Sequence, residues 1–494
     1  MTPVRLVTLI LTLGTLLNTT VAAAADDKWV EARSAHFVVI TNGNERGARN
    51  LAWQFEQIRS AIELGWPWAR VQLDRPVVVI GAKDEATMKA LVPQYWEARG
   101  SVHPDSVFTT AADRHYIAVR SDVKGDDSPG INPYRSSYWS YSLLTFDAAY
   151  ERELPLWFRI GLAEILSNSI VRDDEIQFGR QIPWHVEALQ QGRLRLAELI
   201  ALDRSSPYYT NGSTRDRFDA QAWGVMHFML FGQEGAGADR VNALAKLLFE
   251  GKSSTDAVTQ VFGSVDALEQ AYLQYQKKPI TNYARLKIQQ NVISKDFPVR
   301  TISSSDALTM RAGLHVAMNR LDDARALIAE ARKAETANAS SYDVEALLFE
   351  RNRQNGEARV AYAKAVELNS QNFYSHYRAA TTDAETSVGP PTGIEKQVRR
   401  AIALNEAYSP SYALLANVLL QGAEPASALE PALTAVRLDQ RDSYPRLTLA
   451  RIYWRLQRKA DAMGLARSGL ALARTDQQRA AAKELITFME SNAK

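Results

Sequence analysis

Residues 355–365 read Asn-Gly-Glu-Ala-Arg-Val-Ala-Tyr-Ala-Lys-Ala, and this small-residue pattern recurs through the C-terminal part of the chain. Ala358 and Ala365 each belong to a column in which a small or apolar residue returns every 34 residues, with a single step of 36. The three columns are Ala312, Ala346, Ala380, Ala416, Ala450; Ala324, Ala358, Ile394, Ala428, Ala462; and Ala331, Ala365, Ala401, Ala435, Gly469. Because small side chains at fixed places let neighbouring helices approach closely, the sequence predicts stacked helix pairs.

This period resembles that of the tetratricopeptide repeat. The resemblance implies an all-α solenoid over residues 304–494, with five repeats and a capping helix over 477–491. Such solenoids commonly hold an extended peptide or a partner helix in a concave groove. Candidate groove residues on the first helices are Asp343, Tyr377, Asn417 and Arg451. The alternative is that the repeats only pack against the N-terminal domain.

The beginning of the chain predicts export. Residues 1–25 have the pattern of a secretory signal peptide: Arg5, an apolar core over 6–17 and small residues at 22–25. A membrane anchor is the alternative, but this core is too short to span a bilayer. We therefore expect a periplasmic or secreted protein with no membrane span after cleavage.

Composition excludes several classes of protein. The absence of cysteine excludes disulfides, thiolate metal sites and a cysteine nucleophile. A formal net charge of +2 over 494 residues argues against broad electrostatic binding to nucleic acid. No phosphate-cradling glycine loop or dinucleotide fingerprint is present.

Residues 26–276 predict a mixed α+β domain. The segments 36–40, 76–80 and 116–119 are rich in β-branched residues and predict strands. Residues 45–63 predict an amphipathic helix, and residues 136–276 predict helices almost throughout. Residues 277–303 are expected to link this domain to the repeats.

A second resemblance concerns this N-terminal domain. Residues 154–164 read Leu-Pro-Leu-Trp-Phe-Arg-Ile-Gly-Leu-Ala-Glu, and together with 29–37, 221–228 and 262–275 they resemble the peptidase MA-like domain of gluzincin metallopeptidases. The resemblance implies a zincin-like α+β fold. In that family HExxH supplies two zinc ligands and a later glutamate, here Glu164, supplies the third.

The metal-binding motif of that family is degenerate in this chain. Alignment on the apolar pair at 143–144 places Tyr138 and Ser142 at the ligand positions and Trp139 at the general-base position. Neutral hydroxyls are poor Zn²⁺ ligands, and an indole cannot accept a proton in this role. We therefore expect Tyr138, Ser142 and Glu164 to converge as a vestigial site with no histidine near them.

The space left by the metal could still bind a ligand. Tyr141, Trp157 and His227 are candidates for a cleft that binds peptide or glycan. The alternative is that the aromatic residues fill this space, and that His227 is a buried histidine whose ring nitrogens are hydrogen-bonded. His185 is expected on the surface, at the start of a helix.

These patterns favour an exported, non-catalytic, peptidase-like scaffold that binds protein or peptide through its repeats, with the vacant cleft as a second candidate surface. No cofactor is expected. The alternative is an active zinc metallopeptidase with an atypical metal site, and only that alternative requires zinc. A third possibility is that both modules stabilise a larger envelope assembly.

Overall fold

The computed structural model describes residues 28–97, 100, 103–123, 130–148, 153–172, 175–232, 237–280, 282–287, 294–386, 391–422 and 424–492. The predicted signal peptide at 1–25 lies outside these residues. An N-terminal α/β region is followed by a helical solenoid of tetratricopeptide-like repeats.

The N-terminal region contains a six-stranded sheet and a three-stranded sheet. The strands are β1 Val30–Arg33, β2 Phe37–Thr41, β3 Val77–Ala82, β4 Ser106–Thr110, β5 His115–Arg120, β6 Ile170–Arg172, β7 Glu175–Phe178, β8 Ala284–Lys287 and β9 Val299–Thr301. The larger sheet has the order β4-β5-β3-β2-β1-β9, in which β2, β3 and β5 are parallel. These three parallel strands are the ones predicted from sequence, and the prediction is confirmed.

Helix α1, Glu45–Gly65, covers one face of this sheet. It begins where predicted, because the side chain of Asn44 accepts a hydrogen bond from the backbone N–H of Gly47 at 2.8 Å. Its predicted apolar face is buried, with Leu51, Phe55, Ile58 and Ile62 all in the core.

The predicted linker at 277–303 contains two of the strands. β8 pairs with β7 in the smaller sheet, and β9 pairs antiparallel with β1 at the edge of the larger sheet. This segment is therefore integrated into both sheets of the N-terminal region and is not a simple connection. These short edge strands could not be recognised from the sequence, because the segment is rich in polar residues and has no long apolar run.

Helices make up most of the rest of the N-terminal region, as predicted for residues 136–276, whereas the two short helices within 85–97 were not predicted. The helices are α2 Glu85–Leu91, α3 Gln94–Glu97, α4 Arg135–Asp147, α5 Leu156–Ser167, α6 Pro183–Gln190, α7 Leu196–Ala201, α8 Pro207–Thr210, α9 Gly212–Phe231, α10 Gly237–Phe249, α11 Ser254–Phe262 and α12 Val265–Tyr275. Helix α5 lies directly against α9 at Gly161. A Cβ at this position would come within 2.7 Å of the carbonyl oxygen of Ala222, which shows how closely the two helices approach. This close approach fixes the position of Glu164, which lies on α5.

The solenoid consists of helix pairs followed by one further helix. The pairs are α13 Ser304–Ala317 with α14 Leu321–Ala334, α15 Ala339–Arg351 with α16 Asn355–Glu367, α17 Phe373–Thr386 with α18 Pro391–Leu404, α19 Ser409–Leu420 with α20 Leu429–Leu438, and α21 Ser443–Arg455 with α22 Lys459–Leu472; α23 spans Asp476–Ser491. Every residue of the three small-residue columns is buried. The helical repeat architecture predicted from their spacing is therefore confirmed.

A side-chain hydrogen bond recurs within the repeats and was not predicted. The hydroxyls of Ser305, Ser409 and Ser443 donate to backbone carbonyl oxygens of Ala331, Ala435 and Gly469, at 3.0, 2.8 and 2.8 Å. Each serine lies 26 residues before its acceptor, at the same place in its repeat. The bond ties the start of a first helix to the end of the second helix in that repeat.

The first repeat covers the second face of the larger sheet. Ala307, Met310 and Leu314 of α13 form one apolar cluster with sheet residues that include Ile80 and Tyr116. A Cβ at Gly313 would lie 2.4 Å from the Tyr116 hydroxyl, so the helix and the sheet are in close contact. The sheet is thus packed between α1 on one side and the solenoid on the other.

Candidate functional site

Glu164, the candidate third metal ligand, lies in a buried ionic cluster. Its Oε2 is 2.5 Å from Nη2 of Arg135 and 3.0 Å from Nε2 of His185. The Ser167 hydroxyl donates to the same oxygen at 3.3 Å. Burial raises the pKa of Glu164, but Arg135 and His185 outweigh it and bring the pKa below its ordinary value. Glu164 is therefore an ionised carboxylate that is neutralised by side chains of the protein.

Asp219 on α9 is a second, partly buried carboxylate near this cluster. Burial, together with the charge of Glu164, raises the pKa of Asp219 to about 7. Its Oδ1 is buried without a hydrogen-bond partner, and Arg215 approaches its Oδ2 only to 3.6 Å. The two carboxylates therefore have pKa values shifted in opposite directions.

The expected absence of histidine near Glu164 is wrong. His185 lies near the N-terminus of α6, as expected, but its side chain is buried and not on the surface. Its ring contacts Trp223 of α9, with the ring centroids 5.7 Å apart. The turn before α6 thus directs the ring inwards, between α5 and α9.

Tyr138 and Ser142 do not bind Glu164. The Tyr138 hydroxyl donates to Oε1 of Gln54 on α1, and its ring packs edge-on against Phe55. The Ser142 hydroxyl is buried and has no hydrogen-bond partner. Trp139 is partly buried against the core, and its indole N–H also lacks an acceptor. The predicted convergence of Tyr138 and Ser142 on Glu164 therefore has no hydrogen bond to support it.

These residues do not fit a zinc site. Glu164 and His185 could supply two ligands. However, Oε2 of Glu164, the oxygen next to His185, already binds the guanidinium of Arg135. Within the ranges that the structure describes, no three His, Cys, Asp or Glu side chains are grouped in a way that could hold a metal ion. Catalytic zinc sites have three protein ligands and an open position for water.

The three candidate cleft residues are buried. Tyr141 packs against Phe37 and Phe55, and burial raises the pKa of its hydroxyl above the ordinary value. The Trp157 indole N–H donates to the Ser254 hydroxyl at 3.2 Å. Tyr141 and Trp157 are among the largest fully buried side chains of the described residues. These aromatic side chains are packed in the core and do not line an open cleft.

His227 is a buried histidine with both ring nitrogens hydrogen-bonded, as one of the two alternatives predicted. Its Nε2 lies 2.9 Å from the carbonyl oxygen of Gly179, and its Nδ1 lies 3.0 Å from the Tyr275 hydroxyl. Burial lowers its pKa to about 4. The imidazole is therefore neutral at physiological pH and ties α9 to the loop after β7 and to α12.

Three of the four candidate groove residues lie on one surface. Tyr377, Asn417 and Arg451 are half-buried residues on α17, α19 and α21, the first helices of repeats three to five. Tyr444, which was not predicted, joins them, because the Asn417 amide donates to its hydroxyl at 2.7 Å. Burial raises the pKa of Tyr444, and the positive charge of Arg451 opposes this shift. Burial also raises the pKa of Tyr377, and Tyr444 adds to that shift. We call Tyr377, Asn417, Tyr444 and Arg451 the repeat groove.

Asp343, the fourth candidate, is buried and does not belong to this surface. Its carboxylate accepts hydrogen bonds from Ser370 and Ser375, and burial raises its pKa to about 6 despite them. Asp113 and Arg114, in the turn between β4 and β5, act electrostatically on it. The N-terminal region therefore covers the first helices of the early repeats, which a repeat pattern alone could not reveal.

Sequence reasoning missed Arg135, His185, Asp219 and Tyr444. Arg135 and His185 are 29 and 21 residues from Glu164, so no local spacing links them. Tyr444 could have been found from the sequence. It lies seven residues before Arg451 on α21, and residues two helical turns apart lie on the same face of a helix.

Comparisons with known proteins give only distant structural likenesses. No protein-family model matches the chain, and no curated protein matches it. YrrB, described as a tetratricopeptide protein with an unusual peptide-binding site, is 17% identical and covers 36% of this chain and 90% of its own, with a TM-score of 0.31. PilF of Pseudomonas aeruginosa is 20% identical and covers 37% of this chain and 88% of its own, with a TM-score of 0.28. A chain of the Cut9–Hcn1 hetero-tetramer is 14% identical, with 63% of this chain and 62% of that chain covered and a TM-score of 0.30.

Among the described residues, no helix combines the length and the apolar character needed to cross a membrane.

Proposed function

We propose that this protein is an exported, non-catalytic scaffold that binds a protein or peptide partner through the repeat groove. The observation that carries the proposal is the row of half-exposed Tyr377, Asn417 and Arg451 across three successive repeats. A surface that continues from one repeat to the next suits an extended chain or a helix, because each repeat adds one binding position along the partner.

The chemistry of the groove suits a polypeptide. The Asn417 amide and the Tyr444 hydroxyl can bind backbone carbonyl or N–H groups of a partner. Arg451 makes no ion pair with any described residue, so its guanidinium is available to an acidic group. The two tyrosines supply rigid, amphipathic contact area, which is typical of protein interfaces.

The ionic cluster supports a non-catalytic role. A gluzincin requires the carboxylate of Glu164 to bind zinc, whereas here that carboxylate holds Arg135 and His185. We propose that the peptidase-like fold suggested by residues 154–164 was retained as a platform on which the solenoid is docked. Export rests on the signal-peptide pattern of residues 1–25.

One observation favours the alternative of an atypical zinc peptidase. His185 is within coordination reach of Glu164, at 3.0 Å, so rearrangement of Arg135 would leave two potential ligands together. This alternative still lacks a third ligand and a general base at the positions that the family uses. It is therefore the second candidate.

Partner capture by the full-length chain tests the proposal. We compare wild type, a groove variant with Tyr377→Ala, Asn417→Ala and Arg451→Ala, and a control variant with Val360→Ala, Arg399→Ala and Leu433→Ala. The control residues are exposed and lie on second helices. Their substitution removes one positive charge, as in the groove variant. Urea unfolding midpoints establish that all three proteins are equally folded.

The expected result is that wild type and the control retain the same cross-linked partners from the exported fraction of the source cells, and that the groove variant loses them. Equal recovery of those partners by the groove variant would overturn the proposal.

A further inference from the structure

An open cleft lies between the N-terminal region and the loops that join the later repeats. Its volume is about 860 Å³, which is within the usual range for small-molecule sites. One wall comes from the end of α1 and the segment 67–75, and the other comes from residues 407–410 and 437–441. This cleft is separate from the repeat groove, because none of the four groove residues lines it.

The walls of the cleft carry more arginine than carboxylate. The lining arginines are Arg59, Arg70, Arg75, Arg437 and Arg441, and the lining acids are Glu63, Asp74 and Asp439. Among the described residues that line the cleft, five guanidinium groups against three carboxylates leave an excess of two positive charges. Such a cleft focuses a positive potential, which attracts anions.

The acids already have partners. Glu63 binds Nη1 of Arg59 at 3.0 Å, and Asp74 binds Nε of Arg75 at 3.0 Å. Asp439 accepts the backbone N–H of Arg441 at 2.9 Å. None of these carboxylates makes an ion pair with Arg70 or Arg437.

Two arginines in the cleft therefore have no counter-ion among the residues that the structure describes. Arg70 is half-buried, and in the described chain it forms neither a hydrogen bond nor an ion pair. Arg437 is exposed, and its one hydrogen bond is a long one, 3.5 Å to the hydroxyl of Thr434. Guanidinium groups held in a concave site without a carboxylate suit bidentate binding of phosphate or carboxylate.

A third arginine has an unsatisfied donor. Arg59 is 7% exposed, and its Nε–H is buried without an acceptor in the structure. The positive charge of this guanidinium nevertheless adds to the potential of the cleft. Trp68 and Tyr408 on opposite walls add apolar contact area for the body of a ligand.

We infer that this cleft binds a small anion that carries at least two negative charges, a phosphate ester or a polycarboxylate, with Arg70 and Arg437 as the principal ligands from the two sides. The anion would contact both the N-terminal region and the solenoid. Its binding would therefore stabilise the docked arrangement of the two.

Isothermal titration calorimetry on the full-length protein tests this inference. The probes are pyrophosphate, inorganic phosphate and glutarate, which separate phosphate binding from dicarboxylate binding. The variants are Arg70→Ala with Arg437→Ala, and a charge-matched control with Arg195→Ala and Arg325→Ala, both exposed and outside the cleft. Urea unfolding without ligand checks that both variants remain folded.

We expect saturable binding of pyrophosphate or glutarate by wild type and the control, and binding weaker by about tenfold or more in the cleft variant. The groove variant of the preceding section should bind the anion normally, so the two proposals fail independently. Absence of saturable binding for all three probes, or equal binding by the cleft variant, would overturn the inference.

Discussion

The Asp113 carboxylate accepts a hydrogen bond from the Asn372 side-chain amide at 2.7 Å, and both residues are buried. Asp113 lies in the turn between β4 and β5, and Asn372 lies immediately before α17 of the third repeat. This bond joins the N-terminal sheet to the third repeat. The sheet therefore contacts the solenoid at a second place, in addition to its apolar contact with the first repeat.

Asn372→Ala tests the importance of this contact for docking. The substitution removes one of the donors to Asp113, whose Oδ1 already lacks a hydrogen-bond partner. We expect a loss of about 1–3 kcal/mol in the free energy of unfolding, because a buried carboxylate loses a charge-assisted hydrogen bond. Urea denaturation measures the loss. Asn355→Ala, at an exposed site on α16, is the control and should change stability by less than about 0.5 kcal/mol.

The Arg135–Glu164 pair predicts strong coupling between two substitutions. Arg135→Ala leaves the buried Glu164 carboxylate without its guanidinium partner, and we expect this to cost about 3–5 kcal/mol. The double variant Arg135→Ala with Glu164→Gln should be considerably less unstable than the sum of the single variants, because the buried charge is gone. Chemical denaturation of the four proteins gives the coupling free energy. Additivity of the two effects would show that the ion pair is absent in solution.

Asp219→Asn should change the pH dependence of stability. Because burial and Glu164 raise the pKa of Asp219 to about 7, the folded protein holds a proton that the unfolded chain releases near pH 4. The stability that this proton contributes is complete below about pH 4 and is lost as pH rises through about 7.

Asparagine cannot ionise, so the variant should gain stability relative to wild type as pH increases over that window. The gain should be near zero at pH 4 and reach up to roughly 4 kcal/mol at pH 8. Thermal and urea unfolding at several pH values measure it. A difference between the two proteins that does not vary with pH would mean that Asp219 ionises normally.

The recurrent serine hydrogen bond predicts equal effects in different repeats. Ser409→Ala and Ser443→Ala each remove one hydrogen bond to a buried carbonyl oxygen, and each should cost about 1 kcal/mol. Ser427→Ala, at an exposed site, serves as the control. If either of the two substitutions in the repeats is neutral in urea denaturation, the bond does not stabilise that repeat.

The repeats could be predicted from sequence because their architecture depends on local spacing. Ala358 and Ala365 are small because helices cross closely there, and that requirement recurs with the period of the helix pair. The central strands were equally readable, since buried parallel strands are continuous runs of β-branched residues. The edge strand β9 was not, because it has only three residues and two of them are exposed.

The site could not be predicted in the same way. The partners of Glu164 come from the start of α4 and from α6, and their approach depends on how those helices pack on α5. The resemblance to a metallopeptidase motif pointed to Glu164, but it gave no information about which side chains contact that carboxylate. Asp343 shows the converse problem, since its repeat position suggests a groove residue and the turn from another domain covers it.

Zinc content tests whether Glu164 binds the side chains of Arg135 and His185 in place of a metal ion. Full-length wild type, Glu164→Ala and His185→Ala are purified without chelator, equilibrated with excess zinc, desalted and measured by elemental analysis. We expect far less than one zinc per chain in wild type, with no decrease in either variant. One zinc per chain in wild type that is lost in both variants would contradict the account and identify the protein as a zinc enzyme with an unusual ligand set.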